Sequence, residues 1–243
     1  MKFIISGCTD KGAVRKVNED KFDFKVSDFG LTAIVCDGMG GHQGGLIAAE
    51  IAVNSIMTHI VSLTKNFIVQ KEIIESFRNA NDDILKRGRL EKELSMMGTT
   101  AVLLLIQDLN FFTAHLGDSR IYLIRNRKIR RLTKDHTKVQ QLIDEMKISY
   151  EQAALMADPN AITQVLGVNE LSKPELSGPA QLNTGDIFLL STDGLSNYVN
   201  DNEILDIILD CEPNKACEQL IYLTNLRNGQ DNITALIAKV EDL

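Results

Sequence analysis

The stretch Leu31-Thr32-Ala33-Ile34-Val35-Cys36-Asp37-Gly38 decides the fold, together with the change of pattern that follows it. Residues 31–36 form a short, nearly continuous apolar run, as expected of a strand covered on both faces. From Leu46 the period becomes helical: Leu46, Ala49, Val53, Ile56, Met57, Ile60 and Val61 share one face. Ile73, Ile74, Phe77, Ile84 and Leu85 repeat that signature in a second helix. Upstream, Phe22, Phe24 and Val26 alternate within residues 20–27, the two-residue period of a half-buried strand. Downstream come the strand-like runs Thr99–Gln107, Phe111–Leu116, Arg120–Arg125 and Ile187–Ser191. Ser149 and Gln152 form a capping box ahead of a helix over Glu151–Met156. Helices near Asn202–Leu209 and Lys215–Leu226 precede a last strand, Ile233–Val240. Strands occur in clusters between helical pairs, which favours sheets packed together with helices outside.

The 243 residues carry 26 Lys+Arg against 33 Asp+Glu, a net charge of −7, which argues against a nucleic-acid partner. Hydrophobic residues at 44 % and charged residues at 24 % exclude wholesale disorder. With four prolines and no Gly/Ser-rich linker, a single domain over 1–243 is expected. The basic cluster Arg125–Arg131 reads as a strand-turn-strand with a solvated face. Cys8, Cys36, Cys211 and Cys217 are scattered without a C-x-x-C pair, so neither zinc nor a disulfide framework is indicated. The first residues turn polar too early for a signal peptide, and no apolar stretch approaches the ~20 residues of a bilayer span. A cytoplasmic protein with no membrane association is the expectation.

Acidic residues recur at strand ends. Asp37 and Asp193 each close a buried run and precede a glycine, which permits a sharp turn or a close backbone approach. Asp118 follows the run Phe111–Leu116, Asp231 precedes the last strand, and Glu19-Asp20 opens the alternating strand. Each alone reads as a solvated turn residue. Gathered together they would repel one another and require cations, and oxygen donors suit Mg²⁺ or Mn²⁺.

These acids fall within eight blocks: Gly12–Asp20 (GAVRKVNED), Asp37–His42 (DGMGGH), Gly98–Ala101 (GTTA), Gly117–Arg120 (GDSR), Leu132–Thr137 (LTKDHT), Ile162–Gly167 (ITQVLG), Ser191–Leu195 (STDGL) and Asp231–Thr234 (DNIT). In this order the chain resembles the metal-dependent protein serine/threonine phosphatases, the PPM family, in their compact stand-alone bacterial form. The resemblance implies an α+β fold: a central β-sandwich of two antiparallel sheets flanked by pairs of α-helices, in four layers. It also implies hydrolysis of phosphoserine and phosphothreonine in proteins by a metal-activated water, with two to three Mn²⁺ or Mg²⁺ ions. On the same basis Asp37 would bridge two metals and Gly38 would offer its carbonyl. Asp193 and Asp231 would complete one metal's shell. Asp20, in preference to Glu19, would serve the other, and Asp118 would hold a third ion. Arg15 would bind the substrate phosphate, while Asn232 and Thr99 would orient ligands. Residues of about 138–160 correspond to the family's flap beside the active site. Implied partners are phosphorylated proteins, including a Ser/Thr protein kinase and its targets, met by a monomer.

Rival phosphatase chemistries lack their residues. No arginine stands six places after any cysteine, as a cysteine nucleophile requires, and no two aspartates stand two apart, as in a D-x-D nucleophile. The chain departs from the family at Met39, where some relatives carry a histidine. His42 is the nearest histidine, and a structural role suits it at least as well. The flap residues Asp158-Pro159-Asn160 and Gln164 are less basic than the family pattern. The competing reading is a non-catalytic or narrowly specific phosphoprotein-binding regulator on the same fold; a non-catalytic one would be expected to lose the metal acids.

Overall fold

The computed structural model describes residues 1–40, 43–64, 67–168 and 173–243. His42 and Gly41, singled out in the sequence, lie outside the described residues. Two five-stranded sheets face each other. One has the order β1 (Lys2–Asp10), β12 (Ile233–Asp242), β11 (Ile187–Ser191), β8 (Arg120–Arg125), β9 (Lys128–Arg131). The other has the order β10 (Glu175–Gln181), β7 (Asn110–Leu116), β6 (Ala101–Gln107), β3 (Gly30–Cys36), β2 (Lys21–Ser27). Every pairing within them is antiparallel.

Helices cover both outer faces. α1 (Gly44–Val61) and α2 (Val69–Leu90) pack on the second sheet, with α6 (Asp201–Asp210) and α7 (Pro213–Leu226) on the first. β3 shows why its sequence lacks alternation. Leu31, Ala33 and Val35 enter the core between the sheets, where Leu104, Phe188 and Leu236 meet them. Ile34 and Cys36 point the other way, onto Ala49, Ile56 and Phe77 of α1 and α2. Both faces of the strand are therefore dry, and its seven residues are all buried. The outer face of the first sheet repeats this arrangement, with Tyr122, Leu189 and Ile237 against Ile204, Cys217 and Leu220.

Strand register brings the acidic ends together. Cys36 pairs with Lys21 and Ala101 with Leu116, so Glu19-Asp20, Asp37 and Asp118 leave the second sheet at one end. Ser191 pairs with Arg120 and with Ala235, which places Asp193, Asp118 and Asp231 at the corresponding end of the first sheet.

Several expectations need correction. The run Thr99–Gln107 is broken: Gly98–Thr99 (β5) pairs with Gly38–Met39 (β4), and Thr100 donates its N–H to the Asp37 carbonyl at 2.9 Å. Neither Gly38 nor Gly194 adopts a left-handed φ. Close approach is what requires Gly38, since a Cβ there would lie 2.2 Å from the Gly45 carbonyl oxygen. The helix expected over Glu151–Met156 is α4, Tyr150–Ala154, with both bonds of the Ser149–Gln152 capping box formed. α3 (Lys138–Met146), capped by Thr137, occupies the front of the flap segment. α5 (Asp193–Ser196) begins at the metal-ligand candidate itself. α1, with 18 residues and a mean hydropathy of 1.4, is long and apolar enough to cross a membrane, contrary to the sequence reading. Half of it is buried against the sheet and α2, as in a core helix.

Candidate metal centre

At the shared end of the two sheets lies a cavity of about 830 Å³. Glu19, Asp37, Asp118, Asp193 and Asp231 line it, with Arg15 and Lys16 on the wall. Five carboxylates drawn from both sheets thus face one space. A wider groove of about 970 Å³ lies between α1 and α2 and gathers none of these acids.

Each acid is held by its main chain or its neighbours. Asp37 donates its N–H to Thr100 Oγ1 at 3.0 Å, and its carbonyl accepts the Thr99 hydroxyl at 2.8 Å. Asn197, one helical turn beyond Asp193, donates Nδ2–H to the Asp193 carboxylate at 3.1 Å. Asn232 clamps the loop that carries Arg15: its Oδ1 accepts Glu19 N–H at 2.8 Å, and its amide donates to the Lys11 and Val17 carbonyls at 3.0 and 2.9 Å. Arg15 reaches Asp231 Oδ2 at 2.7 Å, with half of its side chain exposed. A pair so exposed contributes little to folding, which leaves the guanidinium available for a ligand. Asp20 does not line the cavity. Its Oδ2 accepts the hydroxyls of Thr192 and Thr234 at 2.9 and 2.7 Å, and only 2 % of the residue is exposed.

Burial and crowding set the electrostatics. Burial, more than any neighbour, pushes the Asp20 carboxyl up to about 7, although the Thr234 and Thr192 hydroxyls oppose it. Burial likewise pushes Asp118 up to about 7, with Asp193 and Asp135 adding to the effect. Asp37 is driven well above the usual carboxylate range by burial, then by Asp20, Asp193, Asp118 and Asp231. Asp193 rises through burial and the Asp231 charge. Without a counter-charge these groups oppose joint ionisation.

Oxygen atoms without partners test whether cations fit. Glu19 Oε1, Asp20 Oδ1 and Asp118 Oδ1 are buried and accept no hydrogen bond. A buried carboxylate oxygen normally has a partner, and three at one site call for one of another kind. An all-oxygen set of this charge suits hard divalent cations. Thiol chemistry is remote: Cys36 is fully buried behind Asp37, and burial pushes its thiol far up.

The sequence reading did not assign Thr192, Thr234, Asn197, Tyr198 or Gln230. The two threonines lie inside the motif blocks beside Asp193 and Asp231, which was the available signal. Asn197 stands four residues after Asp193, the spacing of neighbours on a helix. Tyr198 accepts Gln230 N–H at 3.1 Å and shares the cavity wall with it, a contact across 32 residues that no local pattern announces. From the flap side, Asn160 and Ile162 complete the lining, and Met39 lines it from β4.

Residues 23–147 match the family described as Protein phosphatase 2C. The protein phosphatase PhpP of Streptococcus pneumoniae is 35 % identical, over 98 % of each chain. The serine/threonine phosphatase stp of Listeria monocytogenes is 33 % identical over 95 % of this chain and 93 % of its own. Among solved structures, the Mycobacterium tuberculosis serine/threonine phosphatase PstP superposes with a TM-score of 0.89 at 31 % identity, covering 99 % of both chains. The PstP catalytic domain in complex with two manganese ions gives a TM-score of 0.87 at 31 % identity, again over 99 % of both. Likeness along the whole length, added to five converging acids at the end of a four-layer sandwich, makes the chain a member of the protein phosphatase 2C family.

Proposed function

We infer that the protein hydrolyses phosphoserine and phosphothreonine esters in proteins, with divalent metal ions as cofactors. One observation carries this: carboxylates from both sheets line a single cavity that also presents Arg15. Glu19, Asp20, Asp37, the Gly38 carbonyl, Asp118, Asp193 and Asp231 would hold the ions. Glu19 lines the cavity, and Asp20, expected from the sequence to serve an ion, stands behind it on two threonine hydroxyls with its Oδ1 free of any hydrogen bond, so both acids belong to the proposed set. Bound divalent cations supply Lewis-acid charge toward the phosphoryl oxygens and a water acidic enough to act as nucleophile near neutral pH.

The chain's own residues supply position. Thr99 and Thr100 fix the Asp37 backbone, Asn197 fixes the Asp193 carboxylate, and Asn232 fixes the loop bearing Arg15 and Glu19. The Arg15 guanidinium offers a planar fork for two phosphate oxygens. Val14, Val17, Met39 and Ile162 give the cavity an apolar border toward the rest of a phosphoprotein.

Two to three ions, Mg²⁺ as an alternative to Mn²⁺, action as a monomer, and a role in opposing a Ser/Thr protein kinase belong to this proposal. So does a cytoplasmic site of action, which four unpaired cysteines support. Purified protein with a phosphothreonine peptide tests the reading: Mn²⁺-dependent phosphate release is expected, and none from folded protein with added Mn²⁺ would refute it. Arg15→Ala should lower kcat/KM by about 10- to 100-fold, the loss of a charged hydrogen-bond pair. Unchanged kcat/KM would show that Arg15 does not touch the phosphate.

A further inference from the structure

We infer that His136 is a positioning residue for the Asp118 carboxylate; this rests on the metal-centre reading above. Asp118 is 7 % exposed, and its Oδ1 has no partner. The residue before it, Gly117, is gripped from both sides by His136. The His136 N–H donates to the Gly117 carbonyl at 2.9 Å, and the Gly117 N–H donates to His136 Nδ1 at 3.2 Å.

That grip holds the turn together with the Ser119 hydroxyl, which lies 2.7 Å from Thr100 Oγ1. Gly117 has φ +101°, and a Cβ there would lie 2.5 Å from Thr100 Cγ2, so no side chain at 117 can set its direction. With Nδ1 accepting, the neutral ring carries its proton on Nε2, which faces Glu175 Oε2 at 3.4 Å. His115 supports the ring from one face, stacked at 4.5 Å between centroids and 20° between planes. His115 is itself anchored by Nε2–H donation to the Lys134 carbonyl at 2.7 Å.

His136 also reaches the other wall. Its carbonyl accepts Thr163 N–H at 2.8 Å, and its neighbour Thr137 bridges to Ile162. One residue therefore sets both the Asp118 turn and the segment that brings Asn160 and Ile162 to the cavity. His115, His136 and Glu175 place donor atoms within 4.8 Å of one another, the spacing of a possible metal site. The bonds oppose that use: with Nδ1 accepting Gly117 N–H, a cation on Nε2 would require a ring without a proton.

Two substitutions separate the ring from its acceptor. His136→Phe keeps a ring to stack on His115 but offers no acceptor; His136→Asn keeps an acceptor oxygen at the Nδ1 position but no ring. Mn²⁺ titration by calorimetry is the primary readout, with melting curves as the check of folding and kcat and KM measured beside it. His136→Phe should weaken the weakest class of bound Mn²⁺ by about 10- to 100-fold, the usual loss when a residue behind a metal ligand is removed. It should lower kcat more than it raises KM. His136→Asn should stay within about threefold of wild type, because the bond to Gly117 survives. In an Asp118→Asn background, His136→Phe should add nothing.

Equal Mn²⁺ affinity in His136→Phe and wild type, or equal damage in both variants, would overturn the proposal. Should His136→Phe not fold, His136→Asn decides: wild-type titration supports the role, and a loss of about tenfold or more overturns it. Wild-type protein that binds no Mn²⁺ would overturn the metal-centre reading as well, which distinguishes the two failures.

Discussion

Replacing Asp37 with Asn is expected to lower kcat/KM by about a thousandfold or more, since bound cations supply several kcal/mol of transition-state stabilisation. Asp37 is the hub of the acids, with Asp20, Asp193, Asp118 and Asp231 all acting on its carboxyl. The fold should survive, because Thr99 and Thr100 hold the main chain of residue 37 and not its carboxylate. An amide of the same shape keeps those bonds while removing a charge that burial and its neighbours disfavour. The metal-free variant should therefore melt no lower than wild type. Turnover near wild type in the folded variant would remove Asp37 from the machinery. A fall in turnover with a large fall in melting temperature would instead mean that Asp37 is structural.

Metal-free protein should lose stability as pH rises from about 5 to 8. Burial pushes the Asp20 and Asp118 carboxyls up to about 7 in the folded protein, from the 3.8 of an exposed aspartate. A carboxyl whose folded pKa is raised binds more protons folded than unfolded, so its favourable contribution is complete below about pH 4. That contribution fades as pH climbs through the folded value near 7, leaving buried like charges behind. For either group taken singly the part of this loss that falls between pH 5 and pH 8 corresponds to about 3 kcal/mol, or on the order of 10 °C in melting temperature. Saturating Mn²⁺ should cancel most of the loss, because a ligand that binds the ionised folded state stabilises it. Melting curves at pH 5 and pH 8, with EDTA and with Mn²⁺, check this directly. A metal-free melting temperature that rises with pH would show that the acids are not crowded together.

What could be read from the sequence followed how each element is buried. β3 was legible because both of its faces are dry, so Leu31–Cys36 is apolar throughout. β2 was legible because Phe22 and Phe24 pack on the inner core while Asp23 and Lys25 meet solvent. β1 escaped notice because its nine residues are mostly half-buried and include Gly7, which yields space to the Phe22 ring. β10 is an edge strand interrupted at Gly178-Pro179, a composition that reads as a loop. Among the site residues, Asp37, Asp118, Asp193 and Asp231 were visible as acids at strand ends, and the register then brought them to one cavity. The environment of Asp20 was not legible. Adjacent residues point in opposite directions, and only Thr192 and Thr234, more than 170 positions away, reveal which way Asp20 turns.

Anomalous diffraction from a manganese-soaked crystal bears most directly on the shared cavity. Two or three peaks within coordination distance of Asp37, Asp193, Asp231, Asp118 and Glu19 oxygens are expected, with Asp37 touching more than one. A map in which well-ordered carboxylates line the cavity and no peak above noise lies among them would contradict the assignment.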